Sequence, residues 1–294
     1  MAHTGLKQLG RAMGYGAGVA LIAVAVWKGL SRVDLERLVA APRLPLLAMG
    51  IAVLATIGLG GLMFWVVTRS FDARPHVGLR RMTQLISAST LLNYVPLRPG
   101  LIGRAVYLNR FHGLPLGHSV QIWLVVVAVS AVVFGVVILA VQIGPVGKPV
   151  VGVGGAVAAL ILASVLAGPA AGRVLARRVE SGWSWVLIKL AELLLWGLRL
   201  WLAMLVVGIP ITYPQAVAAA AAGNLAGLLP VTPNGLGLRE WAIVGLLGLS
   251  GQVDIADAAL ATVIDRGIEV LVVVPVGLWS LHGVRCTMAA PEQQ

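Results

Sequence analysis

Residues 224–240 read N-L-A-G-L-L-P-V-T-P-N-G-L-G-L-R-E, from Asn224 to Glu240, inside a long apolar region. Pro230 and Pro233 fall within it, with Gly227, Gly235 and Gly237, and Arg239 and Glu240 follow at once. Proline has no backbone donor and glycine weakens a helix by roughly 1 kcal/mol relative to alanine, so these residues break any helix running through them. In lipid the backbone groups freed by a break find no water, and they must face protein or a wet cavity. An earlier stretch carries the same punctuation: Asn93, Pro96, Pro99, Gly100, Gly103 and Arg104. Pro96 to Pro230, Pro99 to Pro233 and Gly103 to Gly237 are each 134 residues apart. The break is therefore repeated.

Composition sets the surroundings. The 294 residues are 59% hydrophobic and 11% charged, with a mean hydropathy of +0.94; soluble domains carry roughly 25% charged residues. Several apolar runs reach about 20 residues, the length that crosses a hydrocarbon core of roughly 30 Å. This is the composition of an all-α polytopic membrane protein. The formal charge of +11 sits in short connections between apolar runs, where it reports topology and does not point to nucleic acid. A lone cysteine, Cys286, excludes an intramolecular disulfide and a multi-cysteine metal site.

Spans are expected at about 12–30, 45–67, 118–142, 150–170, 186–208 and 256–281. The two broken segments, about 82–111 and 215–250, have apolar pieces too short to cross and are expected to be re-entrant hairpins. Arg69, Arg74, Arg80 and Arg81 form the strongest positive cluster and mark a cytoplasmic loop, as do Arg173, Arg177 and Arg178. Both termini then lie inside, and segment 31–43, an expected interfacial helix, lies outside despite Arg32, Arg37 and Arg43. On this map the first hairpin enters from the cytoplasm and the second from outside. The halves, about 10–145 and 150–285, are expected to form an inverted repeat within one transmembrane domain, the plan of secondary transporters whose substrate site lies at paired interrupted segments.

Charges inside such a protein are costly, about 2.5–3.5 kcal/mol each on insertion scales, so they are kept when paired or used. Arg104, Arg239 and Glu240 fall in the hairpins; Asp265, Arg266 and Glu269 fall in the last span. Asp265 and Glu269, four apart, share a helix face, while Arg266 points elsewhere by roughly 100°. Two compatible readings follow. Arg239 ion-pairs with Asp265 or Glu269 and clips hairpin to helix, or the hairpin arginines meet an anionic headgroup, helped by half-helix N-termini. Glu192 and Arg199 lie seven apart on one stripe, so Arg199 either faces the pathway or anchors near the outer half of its span; Lys189 is expected to snorkel at the inner interface. Asn93 and Asn224 either cap freed backbone groups or bind a phosphate or sugar. Pro96, Pro99, Gly100, Pro230, Pro233, Gly235 and Gly237 shape the tips. Trp183 and Trp185 read as interfacial anchors, and Trp123, Trp196 and Trp201 as packing or lipid-facing residues. No nucleophile–base arrangement, metal-ligand spacing or nucleotide-binding glycine loop occurs, so neither a catalytic residue, a metal nor a cofactor is expected.

At these residues the chain resembles a known family. P-V-T-P-N-G-L-G-L-R-E (230–240), P-L-R-P-G-L-I-G-R (96–104) and the A-x-A-x-x-x-D-R ending at Asp265-Arg266 are similar to signatures of the flippase-like membrane domain of lysylphosphatidylglycerol synthases. The family also occurs as stand-alone proteins of bacterial and archaeal inner membranes, some linked to hopanoid or glycolipid pathways. The resemblance covers about 10–285. It implies binding or moving a lipid with a charged or glycosylated head across the cytoplasmic membrane. It does not imply aminoacyl transfer, which in the two-part synthases belongs to a following soluble domain. Leu101 stands where the family commonly has glutamate, leaving Arg98 and Arg104 without that partner and favouring an anionic ligand. The expectation is a lipid transporter or flippase. The alternatives are a membrane partner that docks a lipid-modifying or export enzyme, and an intramembrane lipid-modifying enzyme. A lipid-biosynthesis enzyme is a possible partner, and the Gly/Ala-rich span at 150–170 allows a homo-oligomer.

Overall fold

The computed structural model describes residues 43–71, 77–94, 99–143, 179–228, 233–249 and 253–289. These form α1 (Arg43–Phe71), α2 (Leu79–Leu92), α3 (Pro99–His112), α4 (Leu116–Ile143), α5 (Val179–Val207), α6 (Tyr213–Leu228), a 3-10 turn at Pro233–Gly235, α7 (Leu238–Leu249) and α8 (Ile255–Ala289). Among the described residues there is no strand, so the fold class is all-α as expected. Among the described residues, three helices carry stretches long and apolar enough to cross a membrane: Arg43–Phe71, Leu116–Val141 and Gly182–Val207. They coincide with the spans expected at about 45–67, 118–142 and 186–208. The spans at 12–30 and 150–170, nearly all of segment 31–43, and Pro96, Arg98 and Pro230 lie outside the described residues.

Polarity runs from charged inside to apolar outside. On α1, Leu44, Leu47, Ile51 and Leu54 are exposed, while Met49, Val53, Thr56 and Met63 are buried. The exposed set recurs every three to four residues, one stripe of a helix that is apolar on all sides. Leu187, Leu194 and Leu205 make a similar stripe on α5, and Leu271 and Leu278 on α8. The buried residues, in contrast, include Lys189, Glu192, Arg199, Glu240, Asp265 and Glu269. Such a distribution suits a body bathed in hydrocarbon, where charges gather in the interior.

Both broken segments resolve into two short helices. α2 ends where the Asn93 backbone N–H reaches back to the Ser89 carbonyl and that of Tyr94 to the Leu91 carbonyl, and Pro99 opens α3 as its first residue; there its missing N–H is no loss. In the second break Asn234, Gly235 and Gly237 all take positive φ, at 46°, 70° and 81°, which glycine adopts freely. Gly235 lies against Gly227, and Gly223 against Arg239 and Ile243, so α6 and α7 run antiparallel as a hairpin. Among the described helices, α6 packs against α4, α5 and α7. Ala216 to Ala221 are all buried, because methyl groups let α4, α5 and α7 approach it from several sides.

The packing has a regularity that the 134-residue spacing anticipates. α1 packs on α2 as α5 packs on α6, α2 on α8 as α6 on α4, and α3 on α4 as α7 on α8. Individual contacts recur too. Gly61 of α1 lies against Thr83 of α2, and Gly197 of α5 against Val217 of α6. The Trp65 indole donates to the Val77 carbonyl at 3.0 Å, and that of Trp201 to the Ile211 carbonyl at 3.1 Å. Each long helix thus pins the connection leading into its own hairpin.

Candidate functional site

The second hairpin, α5 and α8 converge on a buried set of charges. Arg199, only 1% exposed, donates from Nε to Asp265 Oδ1 at 3.0 Å and from Nη2 to Glu269 Oε2 at 2.8 Å. Arg239 reaches Glu269 Oε2 at 3.3 Å and Asp265 Oδ2 at 3.8 Å. Arg266 donates from Nη1 to Glu269 Oε1 at 2.8 Å and from Nη2 to the Asn234 carbonyl at 3.0 Å. Its Nε faces Glu240 Oε1 at 3.5 Å without making a hydrogen bond, so that contact is electrostatic. The Tyr94 hydroxyl donates to Glu269 Oε1 at 3.0 Å. Glu269 therefore meets four donors, about as many as an ionised carboxylate can accept. Three guanidiniums face three carboxylates, and the cluster is neutral as a whole.

Local structure explains who arrives. Gly237 is the cap of α7, and its N–H donates to Glu240 Oε2 at 2.7 Å, half of a capping box. This fixes Glu240 in the first turn and holds Arg239 beside it, aimed at α8. Asp265 and Glu269 are one turn apart on α8, which places both before Arg199. Arg266 was expected to point away by roughly 100°; it instead curls back one turn to Glu269. The angle sets the direction of Cβ, and a long guanidinium stem covers the difference.

A cavity of about 300 Å³ opens beside the cluster. Arg199, Arg239, Glu269, Asn224 and Asn234 line it at one part, and Lys189, Glu192, Thr56, Thr90 and Ser130 contribute further polar atoms. Trp123, Trp196, Phe64 and Phe134 supply aromatic walls. Lys189 does not snorkel: it is buried and bonds Glu192 Oε2 at 2.6 Å. Glu192 and Arg199 lie on one stripe of α5, about 10 Å apart by helical rise, and both face the cavity. Trp185 is likewise buried, where an interfacial anchor was expected.

The other expected site residues are elsewhere or partly committed. Arg104, on α3, lies over the Phe64 ring at 3.8 Å and is absent from the charge cluster. The Asn224 amide donates to the Ala220 carbonyl one turn back within α6 at 2.7 Å and also lines the cavity. Asn93 Oδ1 is buried beside Gly100, with no hydrogen-bond partner among the described residues. Of the tip residues, Gly100 packs directly under the Ser89 carbonyl, and Pro233 and Gly235 form the 3-10 turn. Tyr94 and the Asn234 carbonyl are site groups the sequence did not single out. Among the described residues, no group of three His, Cys, Asp or Glu side chains is placed to hold a metal ion.

An all-helical membrane body with a charge-lined internal cavity is thus the class of protein in hand. The family model for the lysylphosphatidylglycerol synthase TM region matches residues 16–277, and the chain belongs to that family. No curated protein matches it. Membership ties this membrane protein to lipid metabolism.

Proposed function

We propose that the chain moves a lipid with a small polar headgroup between the leaflets of a bacterial cytoplasmic membrane, both termini lying on the cytoplasmic side. The observation that carries this reading is the cavity: polar and charged side chains line a space of about 300 Å³ within an apolar helical body. That volume lies at the low end for ligand sites. It suits a headgroup and leaves acyl chains outside in lipid. The cavity is bounded by α6 and α7, a broken segment of the kind that forms substrate sites in secondary transporters. The self-matching packing of α1–α4 and α5–α8, with the 134-residue spacing, supports an inverted repeat whose halves rock about the cavity. Because Glu269 is saturated with donors, it offers little to acid–base chemistry, and transport fits better than catalysis.

The neutral cluster changes the expected role of its arginines. They hold α5, α7 and α8 together, and headgroup contacts fall to the cavity wall, chiefly Asn224, Lys189 and Trp196. In vesicles carrying headgroup-labelled phospholipid, the reconstituted protein should accelerate movement between leaflets. Asn224→Leu, which places an apolar side chain in the cavity, should slow this at least tenfold without unfolding the protein. Purified protein that moves no lipid, or an Asn224→Leu variant with the unchanged rate, refutes the proposal.

A further inference from the structure

Among the described residues, Arg104 is a hairpin charge that takes part in neither the cavity nor the ion cluster. We propose that Arg104 of α3 and Phe64 of α1, whose side chains meet, form an anion site for the phosphodiester of a membrane phospholipid. The proposal deepens the lipid-handling reading and rests on it, but it does not require transport.

The guanidinium of Arg104 lies 3.8 Å from the Phe64 ring centroid. A stacked guanidinium keeps its N–H edge free to donate, and that planar fork matches a phosphate. Arg104 is half-buried, and among the described residues no carboxylate or carbonyl meets it. The other half of the molecule shows what is missing. Arg239 on α7 lies over Trp196 of α5 at 5.7 Å, as Arg104 on α3 lies over Phe64 of α1, and it is neutralised by Asp265 and Glu269 of α8. The positions 134 residues earlier, on α4, are Ala131 and Gly135. They hold no charge. Among the described residues the first half therefore sets a cation over an aromatic ring with no carboxylate to meet it, Arg104 and Phe64 standing 135 and 132 residues before Arg239 and Trp196.

An arginine in a low-dielectric setting needs a counter-ion, and the surroundings favour a lipid as its source. Ile102 and Val106 of α3 are 58% and 50% exposed, an apolar face against which acyl chains pack. Between them a Cβ built on Gly103 meets nothing within 4 Å, leaving room for a headgroup beside Arg104. Phe64 also lines the internal cavity. One ring therefore separates the anion site from the cavity.

The test uses the full chain, purified in detergent and stripped of lipid, with thermal unfolding followed as phosphatidylglycerol, diacylglycerol of the same chains or inorganic phosphate is added. Phosphatidylglycerol should raise the unfolding temperature of the wild type, and the other two should not. Arg104→Gln should weaken the phosphatidylglycerol response roughly tenfold or more, and Arg104→Lys by less, since a point charge survives. Phe64→Leu, which keeps the charge but removes its platform, provides a second reading if Arg104→Gln does not fold. A phosphate response that depends on Arg104 and equals that of phosphatidylglycerol overturns the lipid in favour of a soluble anion. A wild-type response to phosphatidylglycerol in both Arg104→Gln and Phe64→Leu overturns the site. Transport is judged separately through Asn224→Leu.

Discussion

Replacing Arg199 by methionine removes the most buried charge of the cluster while keeping its stem length. The guanidinium contacts Asp265 at 2.9–3.0 Å and Glu269 at 2.8 Å, and all three side chains are at most 10% exposed, so solvent screening is slight. Breaking a buried pair from one side costs about 3–5 kcal/mol, because the partner is left charged without compensation. Insertion scales give a similar figure, about 2.5–3.5 kcal/mol for one uncompensated charge in a membrane. Arg199→Met should therefore destabilise the protein by about 3–5 kcal/mol, measured by denaturant unfolding in mixed micelles. The variant leaves Arg239 and Arg266 facing three carboxylates. Adding Asp265→Asn restores balance, so the double variant should be less damaged than the sum of the singles by at least about 1 kcal/mol. A loss below about 1 kcal/mol in Arg199→Met, or strict additivity in the double variant, would refute the view that this cluster holds α5 to α8.

Other substitutions separate neighbouring contributions. Glu240→Gln keeps an acceptor for the Gly237 N–H and should cost less than Glu240→Ala, which also loses the cap and about 1 kcal/mol with it; stability of the pair in one detergent decides this. Tyr94→Phe removes one hydrogen bond to Glu269 but keeps the ring under Arg266, for an expected loss of about 1.5–3 kcal/mol in the same unfolding assay. Gly61→Ala and Gly197→Ala press a methyl group onto the Thr83 and Val217 backbones, and each should cost about 1–3 kcal/mol. Gly58→Ala on the same face of nothing, with no atom within 4 Å of its new Cβ, should be neutral or stabilise by up to about 1 kcal/mol. Thermal unfolding of the three glycine variants side by side checks the contrast.

Much of the architecture was legible because backbone chemistry is local. Proline and glycine at 224–240 announced the α6–α7 break, and the punctuation at 93–104 announced α2–α3. Pairing of Arg239 with Asp265 or Glu269 was one of two readings that the need to neutralise charges in an apolar chain allowed, and the structure brings Arg239 to both. What escaped was tertiary. Lys189 had the look of an interfacial residue, yet Glu192 one turn on gives it a buried partner that hydropathy cannot register. Arg199 reads as one charge in a span until α8 brings two carboxylates to it. Tyr94 carries no signal of its own; it reaches Glu269 across 175 positions because α2 packs against α8. Arg104 was grouped with Arg239 by motif, and the missing carboxylates on α4 separate them.

The ion cluster is unevenly fastened. Arg199 holds α8 through contacts of 2.8–3.0 Å, whereas Arg239, carried by α7, holds it at 3.3 and 3.8 Å. The molecule therefore has a grain, like timber. Once the Arg266 links from α8 to Asn234 and Glu240 open, it would part along the seam between α7 and α8 before α5 and α8 separated, and the second hairpin would swing while its two supporting helices travelled as one beam. Spin labels on α5 and α8 should keep their spacing through any such movement, and a label on α7 should not.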